Sequence, residues 1–447
     1  MERAKNYSSF LDSCLSLRGC FIPYAQAKIG KIMNIDGVNT VCVVGWAKSG
    51  IALCDLLLSL KKKIKVTDSR VRSSFDTKLI NAYINKGVEF EFGAHSEKFI
   101  KDSQLGILSP GVDVKTSEAA KCFCNLGTPF VGEIEFASWL TRAKFIAITG
   151  TNGKTTTSFL THKVLKTKRK RVFLGGNIGV ALSSFVMDTK KGDLIVLEIS
   201  SFQLETIIEF KPFVAVFLNI EPDHLDRYCG FEDYFKAKMN IFKNQGKEDW
   251  AVLNKKSDLK GIVEKCTSSK ILTFSDEFEN ENFSCVYRIA SIFGLSKTDC
   301  VKVFSDFAGL PHRLQTVGKL AGVTFINDSK ATNPSSTAWA LKNTKGKVIL
   351  ISGGKDKGVD YKEILPFAKK IKKVNLFGEA ANKIKEALKA ELEIGQFPSL
   401  KSVIEASFKE AKKGDTVLFS PMCSSFDMFS SYIERGEKFS ELVKELK

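Results

Sequence analysis

The chain has 447 residues, which is too long for a single hydrophobic core and predicts about three domains. The composition (44% hydrophobic, 26% charged), the lack of an apolar run near the roughly 18 residues of a membrane span, and 11 cysteines without CxxC pairs exclude a membrane protein and a disulfide framework. The formal net charge of +17 permits nucleic-acid binding, but the lysines are spread over the whole chain, so we expect an anionic small substrate instead.

Residues 1–32 differ from the rest of the chain. They are basic, contain several serines and show no clear periodicity, before Met33 opens a strand-like segment. A targeting peptide, a flexible tail and an upstream start codon ahead of a true start at Met33 all fit this pattern. We therefore treat residues 1–32 as an N-terminal extension of undecided role.

The first predicted strand, 41–44, ends in the turn 45–50 and is followed by a helical pattern. A second strand ends at Asp68, where dinucleotide-binding folds carry a ribose-binding carboxylate, but the preceding turn lacks GxGxxG and contains a lysine. NAD therefore stays an alternative, and another phosphate-bearing ligand, most simply a UDP-sugar, is favoured. A further strand, 105–108, ends at Ser-Pro-Gly 109–111, a position where open α/β sheets bind ligands.

Residues 144–157, KFIAITGTNGKTTT, contain a buried strand, a glycine turn and hydroxyl residues, followed by a helical pattern from Ser158. Gly150 and Gly153 allow backbone N–H groups to approach phosphate oxygens, Lys154 can reach the outer phosphates, and the helix N-terminus adds its positive dipole. Only two residues separate the glycines, whereas the general P-loop has four. A glycine-rich strand-to-helix turn without a ligand is therefore the alternative.

Three residues of the central region, each ionisable, are candidates for a functional site. Glu198 comes directly after strand 194–197, where an acid beside a P-loop holds Mg²⁺ directly or through water; capping of the next helix is the alternative. His224 lies in an acidic turn after strand 214–218, which favours a metal or phosphate role over simple packing. Lys238, by composition alone, would belong to a solvated helix face.

A second α/β sheet is predicted from position 310 onwards. Its strands are 323–326, 348–352, 374–377 and 417–419, and each ends in a polar loop. Asn333 followed by Pro334 predicts a helix start, with Asn333 as the N-cap. The loop before this helix therefore holds Asp328, Lys330 and Thr332 between rigid elements.

Six motifs in order are similar to those of the Mur ligases, the three-domain ATP-dependent amide-forming enzymes of peptidoglycan synthesis. The motifs are GTNGKTTT, EISSFQLE, DHLDRY, LPHRLQ, NDSKATNP and LFSPMCSSFDMFSSYIERGEKF. The resemblance covers the chain from about Met33 onwards, and the short glycine spacing is the family's own form. It implies an α/β fold with a Rossmann-like domain (33–131), a central P-loop ATPase-type domain with a mostly parallel sheet (132–309) and a C-terminal Rossmann-like domain (310–447).

The resemblance also implies an activity, and NDSKATNP, LPHR and SPG favour the branch that adds D-glutamate. The implied substrates are UDP-N-acetylmuramoyl-L-alanine, D-glutamate and ATP. The alanyl carboxylate would be phosphorylated to an acyl phosphate and then attacked by the D-glutamate amine, with release of ADP and phosphate. The implied cofactors are two Mg²⁺ ions and a carbamylated Lys238. We expect a cytoplasmic, monomeric enzyme without a nucleic-acid partner or membrane insertion.

The resemblance assigns roles to individual residues. The implied catalytic residues are Lys154, His224, Lys238 and Lys330. The implied ATP-binding residues are Gly150, Thr151, Asn152, Gly153, Lys154, Thr155, Thr156, Asn282, Arg313 and Asp328. The implied residues for the UDP-linked substrate are Gly45, Trp46, Ala47, Lys48, Ser49, Asp68, Ser69, Arg70, Ser109, Pro110, Gly111, Asn177, Ser200 and Gln203. The implied D-glutamate residues are Thr332, Lys357, Ser425 and Phe426. The implied metal ligands are Thr155, Glu198, His224 and carbamylated Lys238.

The chain departs from the family pattern in two places. The segment 254–310 is shorter than usual, and the expected HNxxN helix start is reduced to residues 279–282. Tyr432 stands where the family usually has phenylalanine. Two other functions stay open: an amide ligase of the same build with a different amino acid or with folate as substrate, and a nucleotide-binding regulatory module without catalysis.

Overall fold

The computed structural model describes residues 35–257 and 259–446, so the expectations for residues 1–32 and the start at Met33 lie outside the described residues. The described chain divides into two compact units. The first contains the described residues up to Asn219 together with Phe235–Asp306. The second contains Ile220–Tyr234 together with the described residues from Phe307 onwards. Among all these residues, no helix has both the length and the apolar character needed to cross a membrane.

The first unit begins with a five-stranded parallel sheet in the order β3-β2-β1-β4-β5. Its strands are β1 (Thr40–Val44), β2 (Lys63–Asp68), β3 (Glu89–Phe92), β4 (Leu105–Leu108) and β5 (Phe130–Gly132). Its helices are α1 (Lys48–Ser59), α2 (Thr77–Ile84), α3 (Glu97–Ile100), α4 (Glu118–Leu126) and α5 (Glu133–Ser138). The strand order reverses between β1 and β4, which places the ends of both strands at a topological switch point.

A second sheet of six parallel strands completes the first unit, in the order β11-β10-β9-β6-β8-β7. Its strands are β6 (Lys144–Thr149), β7 (Val172–Gly176), β8 (Leu194–Glu198), β9 (Val214–Phe217), β10 (Trp250–Asn254) and β11 (Lys270–Phe274). The helices that follow in the chain are α6 (Lys154–Lys166), α7 (Ser201–Leu204), α8 (Phe231–Met239), α9 (Leu259–Cys266), α10 (Glu281–Ile292) and α11 (Lys297–Ser305). All five residues of β8 are buried, as expected of a central parallel strand.

Helix α6 begins at Lys154, so the predicted start at Ser158 was wrong. The threonines after Lys154 are poor helix formers, so the first turn of α6 shows no helical pattern in the sequence. Gly153, with a φ of 81°, occupies the N-cap in the left-handed conformation. The early start matters because it puts Thr155 and Thr156 in the first helical turn, where backbone N–H groups have no partner within the helix.

The second unit is built around a mixed sheet in the order β12-β13-β17-β14-β15-β16, in which β12 alone runs antiparallel to its neighbour. Its strands are β12 (Gln315–Leu320), β13 (Val323–Asn327), β14 (Val348–Gly353), β15 (Ile371–Phe377), β16 (Ile394–Gln396) and β17 (Thr416–Phe419). Its helices are α12 (Pro334–Asn343), α13 (Ala381–Leu388), α14 (Leu400–Glu410) and α15 (Tyr432–Glu445). Asn333 caps α12 through Ser336 N–H, as predicted.

A buried arginine ties together two loops at the edge of this third sheet. Arg435 of α15 is fully buried and donates to Ser329 Oγ (3.1 Å) and Ser329 O (2.9 Å) in the loop after β13. It also donates to the carbonyl oxygens of Cys423 (3.1 Å) and Ser424 (3.0 Å) in the loop after β17. Because a planar guanidinium presents several donors at once, this one side chain bonds to both loops.

We predict that Arg435→Ala destabilises the second unit by about 3 kcal/mol or more, because it removes the Arg435 donor from the buried carbonyl oxygens of Ser329 and Cys423. Arg435→Lys recovers only part of this loss, since an ammonium group cannot reproduce the fork of donors. Hydrogen exchange of peptides covering 327–330 and 420–425 measures the effect. Lys438→Ala, on the exposed side of α15, is the matched control. Unchanged protection of both loops in Arg435→Ala would contradict the prediction.

Candidate functional site

The loop between β6 and α6 has the geometry of a phosphate-binding loop. Gly150 has a φ of 150° and Gly153 a φ of 81°, both in the region that favours glycine. A Cβ atom at Gly150 would come within 3.0 Å of Leu218 Cβ. The β6–α6 loop therefore turns sharply where it passes the end of β9. Its backbone N–H groups lie at the positive end of the α6 helix dipole.

Two lysine side chains donate to the same carbonyl oxygen in this loop. Lys154 Nζ lies 2.8 Å from Gly150 O and 2.8 Å from Thr151 O. Lys238 Nζ, from α8, lies 3.0 Å from Gly150 O. Lys238 is only 2% exposed, which rules out the solvated helix face that its composition suggested. The loop thus carries two ammonium groups close together, an arrangement that attracts an anion.

Asn219 holds the loop from the adjacent strand and was not among the predicted site residues. Its side-chain oxygen accepts the N–H of Asn152 (2.8 Å), its Nδ2 donates to Asn152 O (3.1 Å), and its backbone oxygen accepts the N–H of Thr151 (3.1 Å). The sequence does contain a signal: Asn219 follows the end of β9, which is the neighbour of β6. The pairing of these two strands was not known from the sequence.

Glu198 ends β8 next to this loop and is fully buried. Asn177 Nδ2 donates to its Oε1 (2.8 Å), whereas its Oε2 is buried without a hydrogen-bond partner among the described residues. A buried carboxylate oxygen without a donor fits a cation, so the site is compatible with Mg²⁺. The described residues contain no cluster of three or more acidic, histidine or cysteine ligands. This agrees with the preference of Mg²⁺ for one or two carboxylates together with phosphate and water.

Asn282, predicted to bind ATP, lies against the phosphate loop. Helix α10 begins directly before it at Glu281, with Asn280 as the N-cap, so a capped helix start is present in the shortened segment. Asn282 Oδ1 accepts a hydrogen bond from Thr157 Oγ1 (3.2 Å). A Cβ atom at Gly153 would come within 2.4 Å of the same oxygen, so only glycine fits there.

The predicted residues of the first sheet lie at the ends of β1, β2 and β4, which are neighbours in the sheet. Asp68 accepts the N–H of Trp46 (2.7 Å) and two side-chain bonds from Arg70 (2.7 and 3.0 Å). Burial would raise the pKa of Asp68, but these hydrogen bonds hold it below its usual range. Ser109 Oγ donates to Gly45 O (3.2 Å) across the switch point. Both oxygens of Asp68 are thus engaged within the protein.

Residues predicted from two separate motifs meet in one small cavity of the first unit. Ser109 and Pro110, after β4, line it together with Gln203 of α7. Gln203 also forms a capping box with Ser200: its Oε1 accepts the Ser200 N–H (3.0 Å), and Ser200 Oγ accepts the Gln203 N–H (3.2 Å). Glu133, which the sequence did not single out, lines the same cavity.

In the second unit, the segment Ile220–Tyr234 packs with the third sheet. Its Asp223 forms a buried ion pair with Lys357 (3.1 Å) and accepts a hydrogen bond from Asn333 Nδ2 (3.3 Å). Lys357 Nζ also lies 3.5 Å from Thr332 Oγ1. Burial would raise the pKa of Asp223, but the charges of Lys357 and His224 hold it far below its usual range. Two of the predicted D-glutamate residues, Thr332 and Lys357, therefore lie together, and Asp223 joins them.

The remaining predicted residues of this unit lie in the loops after β13 and β17. Asp328 accepts hydrogen bonds from Ser420 Oγ (2.9 Å) and Leu314 N–H (3.2 Å). Lys330 Nζ lies 3.9 Å from the centre of the Tyr432 ring, so the tyrosine that replaces the family's phenylalanine provides a cation–π contact.

Two further predicted residues differ in exposure. Ser425 is buried, whereas Phe426 is 68% exposed. His224, predicted as a metal ligand, has a φ of 55° and its N–H donates to Asp223 Oδ1 (2.9 Å). It belongs to the second unit, whereas Thr155, Glu198 and Lys238 belong to the first.

Three family models match consecutive parts of the chain. They are a "Mur ligase MurD-like, N-terminal domain" at residues 39–132, a "Mur ligase middle domain" at 148–319 and a "Mur ligase, glutamate ligase domain" at 312–423. A relative from Thermoanaerobacter pseudethanolicus is 36% identical over 456 residues, covering 93% of this chain and 100% of the relative. A relative from Koribacter versatilis is 37% identical over 453 residues, covering 93% and 99%. Both are named UDP-N-acetylmuramoylalanine–D-glutamate ligase.

Solved structures share the fold at low sequence identity. The UDP-N-acetylmuramate-alanine ligase of Thermotoga maritima is 16% identical with a TM-score of 0.58, covering 92% of this chain and 100% of that one. The MurF ligase of Thermotoga maritima, solved in complex with ADP, is 19% identical with a TM-score of 0.57, covering 93% and 98%. With relatives above 35% identity over nine-tenths of the sequence, the chain belongs to the Mur ligase family.

Proposed function

We propose that the chain is a UDP-N-acetylmuramoyl-L-alanine:D-glutamate ligase, which uses ATP and releases ADP and phosphate. The observation that carries this proposal is the match to relatives of that name over 93% of the chain. The phosphate loop, Glu198 and the Asp223–Lys357 pair support it, because each supplies a part that ATP-driven amide formation needs. A carboxylate is a poor electrophile, so the alanyl carboxylate must first accept the γ-phosphoryl group of ATP.

The phosphate loop would hold ATP through its backbone N–H groups and through Lys154. Phosphoryl transfer depends mainly on positioning and on neutralising charge, and the two lysines at Gly150 O provide positive charge in a fixed place. Glu198 and Thr155 would hold Mg²⁺, which when bound neutralises phosphate charge. Asn177 keeps the Glu198 carboxylate in position.

Lys238 would become a metal ligand if it is carbamylated. The structure supports this idea indirectly, because two ammonium groups that share one carbonyl oxygen repel each other. Carbamylation would replace one of these two charges by a carboxylate. The oxygens of the carbamate could then serve as ligands for a second Mg²⁺.

The first sheet would bind the UDP part of the substrate with the loops after β1, β2 and β4. Arg70 supplies a cation there, and the glycine at position 45 lets the backbone approach a phosphate. In the second unit, Lys357 and Thr332 would position D-glutamate, with Ser425 and Phe426. Lys357 is paired with the Asp223 carboxylate at 3.1 Å, and this pair holds its ammonium group beside Thr332.

We further propose the domain limits 33–131, 132–309 and 310–447 for the UDP-linked substrate, ATP and D-glutamate, respectively. We also propose a cytoplasmic, monomeric enzyme that binds no nucleic acid. Arg313, Asp328 and Lys330 would contact ATP from the third domain, and Asn282 would do so from the central one.

One prediction concerns the reaction itself. Purified protein with ATP and Mg²⁺ should release phosphate only when both UDP-N-acetylmuramoyl-L-alanine and D-glutamate are present. L-Glutamate, L-lysine and meso-diaminopimelate serve as matched amino-acid controls. Equal release with another amino acid would assign the chain to a different amide ligase, and no release with any of them would favour a regulatory nucleotide-binding module.

Another prediction concerns Lys238. Lys238→Ala should lower kcat by roughly 100-fold, because it removes a buried group beside the ATP phosphates. If the side chain is carbamylated, short carboxylic acids should restore part of this activity by supplying the missing oxygens. Lys236→Ala, two positions earlier on α8, is the control and should stay close to wild type. Full activity of Lys238→Ala would remove Lys238 from the mechanism, and ¹³C-bicarbonate labelling followed by NMR tests the carbamate directly.

A further prediction concerns Asp328, which is 7% exposed. Burial raises the pKa of Asp328 to about 7, against the hydrogen bonds from Ser420 and Leu314 and the charge of Arg313. Because this folded-state pKa lies above the unfolded value, the second unit should lose stability as pH rises from about 4 to about 7, by up to about 4 kcal/mol. Urea denaturation at several pH values measures this loss. Asp328→Asn should flatten the profile, and identical slopes for both proteins would contradict the assignment.

A further inference from the structure

The cavity shared by the first two sheets contains a carboxyl group that the reaction described above does not use. Glu133, the first residue of α5, is only 2% exposed. Its Oε1 accepts the N–H of Ser183 (2.7 Å), in the short 3₁₀ turn Leu182–Ser184. Its Oε2 is buried and has no hydrogen-bond partner among the described residues. One oxygen thus has a structural role, and the other is without a protein donor.

A second buried polar atom without a partner lies in the same place. Ser183 Oγ makes no hydrogen bond within the described part of the chain, although Ser183 is only 4% exposed. Buried polar atoms in folded proteins nearly always have hydrogen-bond partners. Glu133 Oε2 and Ser183 Oγ are two exceptions, and they belong to residues that are hydrogen-bonded to each other. We therefore look for their partner in a group from outside the chain. Burial without a partner is also costly, which makes an accidental arrangement unfavourable.

The position of Glu133 indicates which molecule supplies that group. The cavity that it lines is also lined by Ser109, Pro110 and Gln203, which are three of the residues proposed for the UDP-linked substrate. Gln203 Oε1 is occupied by Ser200, but its Nε2 makes no hydrogen bond among the described residues. Gly132 permits the close approach of β5 to the turn after α7, because a Cβ atom there would lie 2.0 Å from Thr206 Oγ1.

The chemistry of the site selects the part of the substrate. Burial raises the pKa of Glu133, and the hydrogen bond from the Ser183 N–H offsets this only in part. A carboxyl group that favours its neutral form suits an uncharged partner, since it can both donate and accept. A diphosphate would be repelled by the ionised form of the same group. The sugar and its acyl substituents, which carry hydroxyl and amide groups, are the uncharged part of the proposed substrate.

We propose that Glu133 is a binding residue for the UDP-linked substrate, with its Oε2 hydrogen-bonded to a hydroxyl or amide group of the N-acetylmuramoyl-alanyl portion. This inference rests on the proposed function. It adds a specificity residue that rejects analogues without that hydroxyl or amide, because the carboxyl group would then be buried without a partner.

Calorimetric titration of the full chain with UDP-N-acetylmuramoyl-L-alanine, without ATP, tests the inference. Glu133→Ala should weaken binding of this substrate about tenfold or more, the loss expected for one buried hydrogen bond. Glu133→Gln should bind within about threefold of wild type, because its amide can accept from Ser183 and donate to the substrate. ATP binding, measured separately, should be unchanged in both variants.

Glu135→Gln is the matched control, two positions later on the same helix. Glu135 is fully buried like Glu133, but its carboxylate accepts N–H groups from Ile208, Glu209, Phe210 and Trp139 and has no free oxygen. Its substitution should lower the melting temperature without changing substrate affinity. If Glu133→Ala fails to fold, Glu133→Met takes its place, since it keeps the volume and removes both oxygens.

Several outcomes would overturn the inference. Wild-type affinity in Glu133→Ala would mean that Oε2 meets only water. A loss of substrate and ATP binding in equal measure, with a lowered melting temperature, would mean that Glu133 only holds the turn at Ser183. If the wild-type protein binds ATP but not this UDP-linked substrate, the proposed function fails first, and the inference fails with it.

Discussion

The shared acceptor at Gly150 is the contact on which the rest of the candidate site depends. Two lysine ammonium groups, from the start of α6 and from α8, donate to one carbonyl oxygen. Like charges that share an acceptor repel each other in a protein interior, and a bound anion would offset that repulsion. The surrounding elements hold this arrangement in place. Asn219 fixes the loop backbone, and the β6–α6 turn is possible only with glycine at its two ends.

The three sheets share one arrangement of apolar and polar residues. Each one buries parallel strands of apolar residues and leaves its polar chemistry in the loops at the strand ends, where backbone groups and short side chains can meet a ligand. In the third sheet the loops are additionally tied together by Arg435, whose guanidinium bonds carbonyl oxygens in two of them. Arg435 thereby helps to place Lys330 and Ser425, together with direct contacts between the loops such as the bond from Met422 N–H to Ala331 O (2.9 Å).

Much of this architecture could be predicted from local sequence. The buried strands were recognisable as runs of β-branched residues, and the Asn333-Pro334 pair fixed the start of α12 because cap chemistry is local. The start of α6 was missed because a run of threonines has no clear helical signal. Lys238 illustrates the value of the family resemblance: its composition indicated a solvated face, and only the pairing of distant segments puts it at Gly150.

The residues that could not be predicted share one property. Asn219, Asp223 and Glu133 act through partners far away in the sequence, across strands whose order no local pattern reveals. Without the sheet order, nothing in the sequence distinguishes these three residues from other polar residues. Sequence reasoning could therefore identify the types of chemistry in each loop, but not which side chains hold the loops in place.

The close approach of Gly153 and Asn282 limits which deletions in the segment before α10 the structure would tolerate. The segment before α10 is short, yet Asn282 still fills the space that a side chain at position 153 would take. A helix turns by about 100° and rises 1.5 Å per residue, so a shift of α10 by one position would carry this amide away from the phosphate loop. Deletions could thus shorten the connection ahead of the helix but could not change its register. The connection before α10 can therefore vary in length, whereas the position of Asn282 on the helix relative to the phosphate loop cannot.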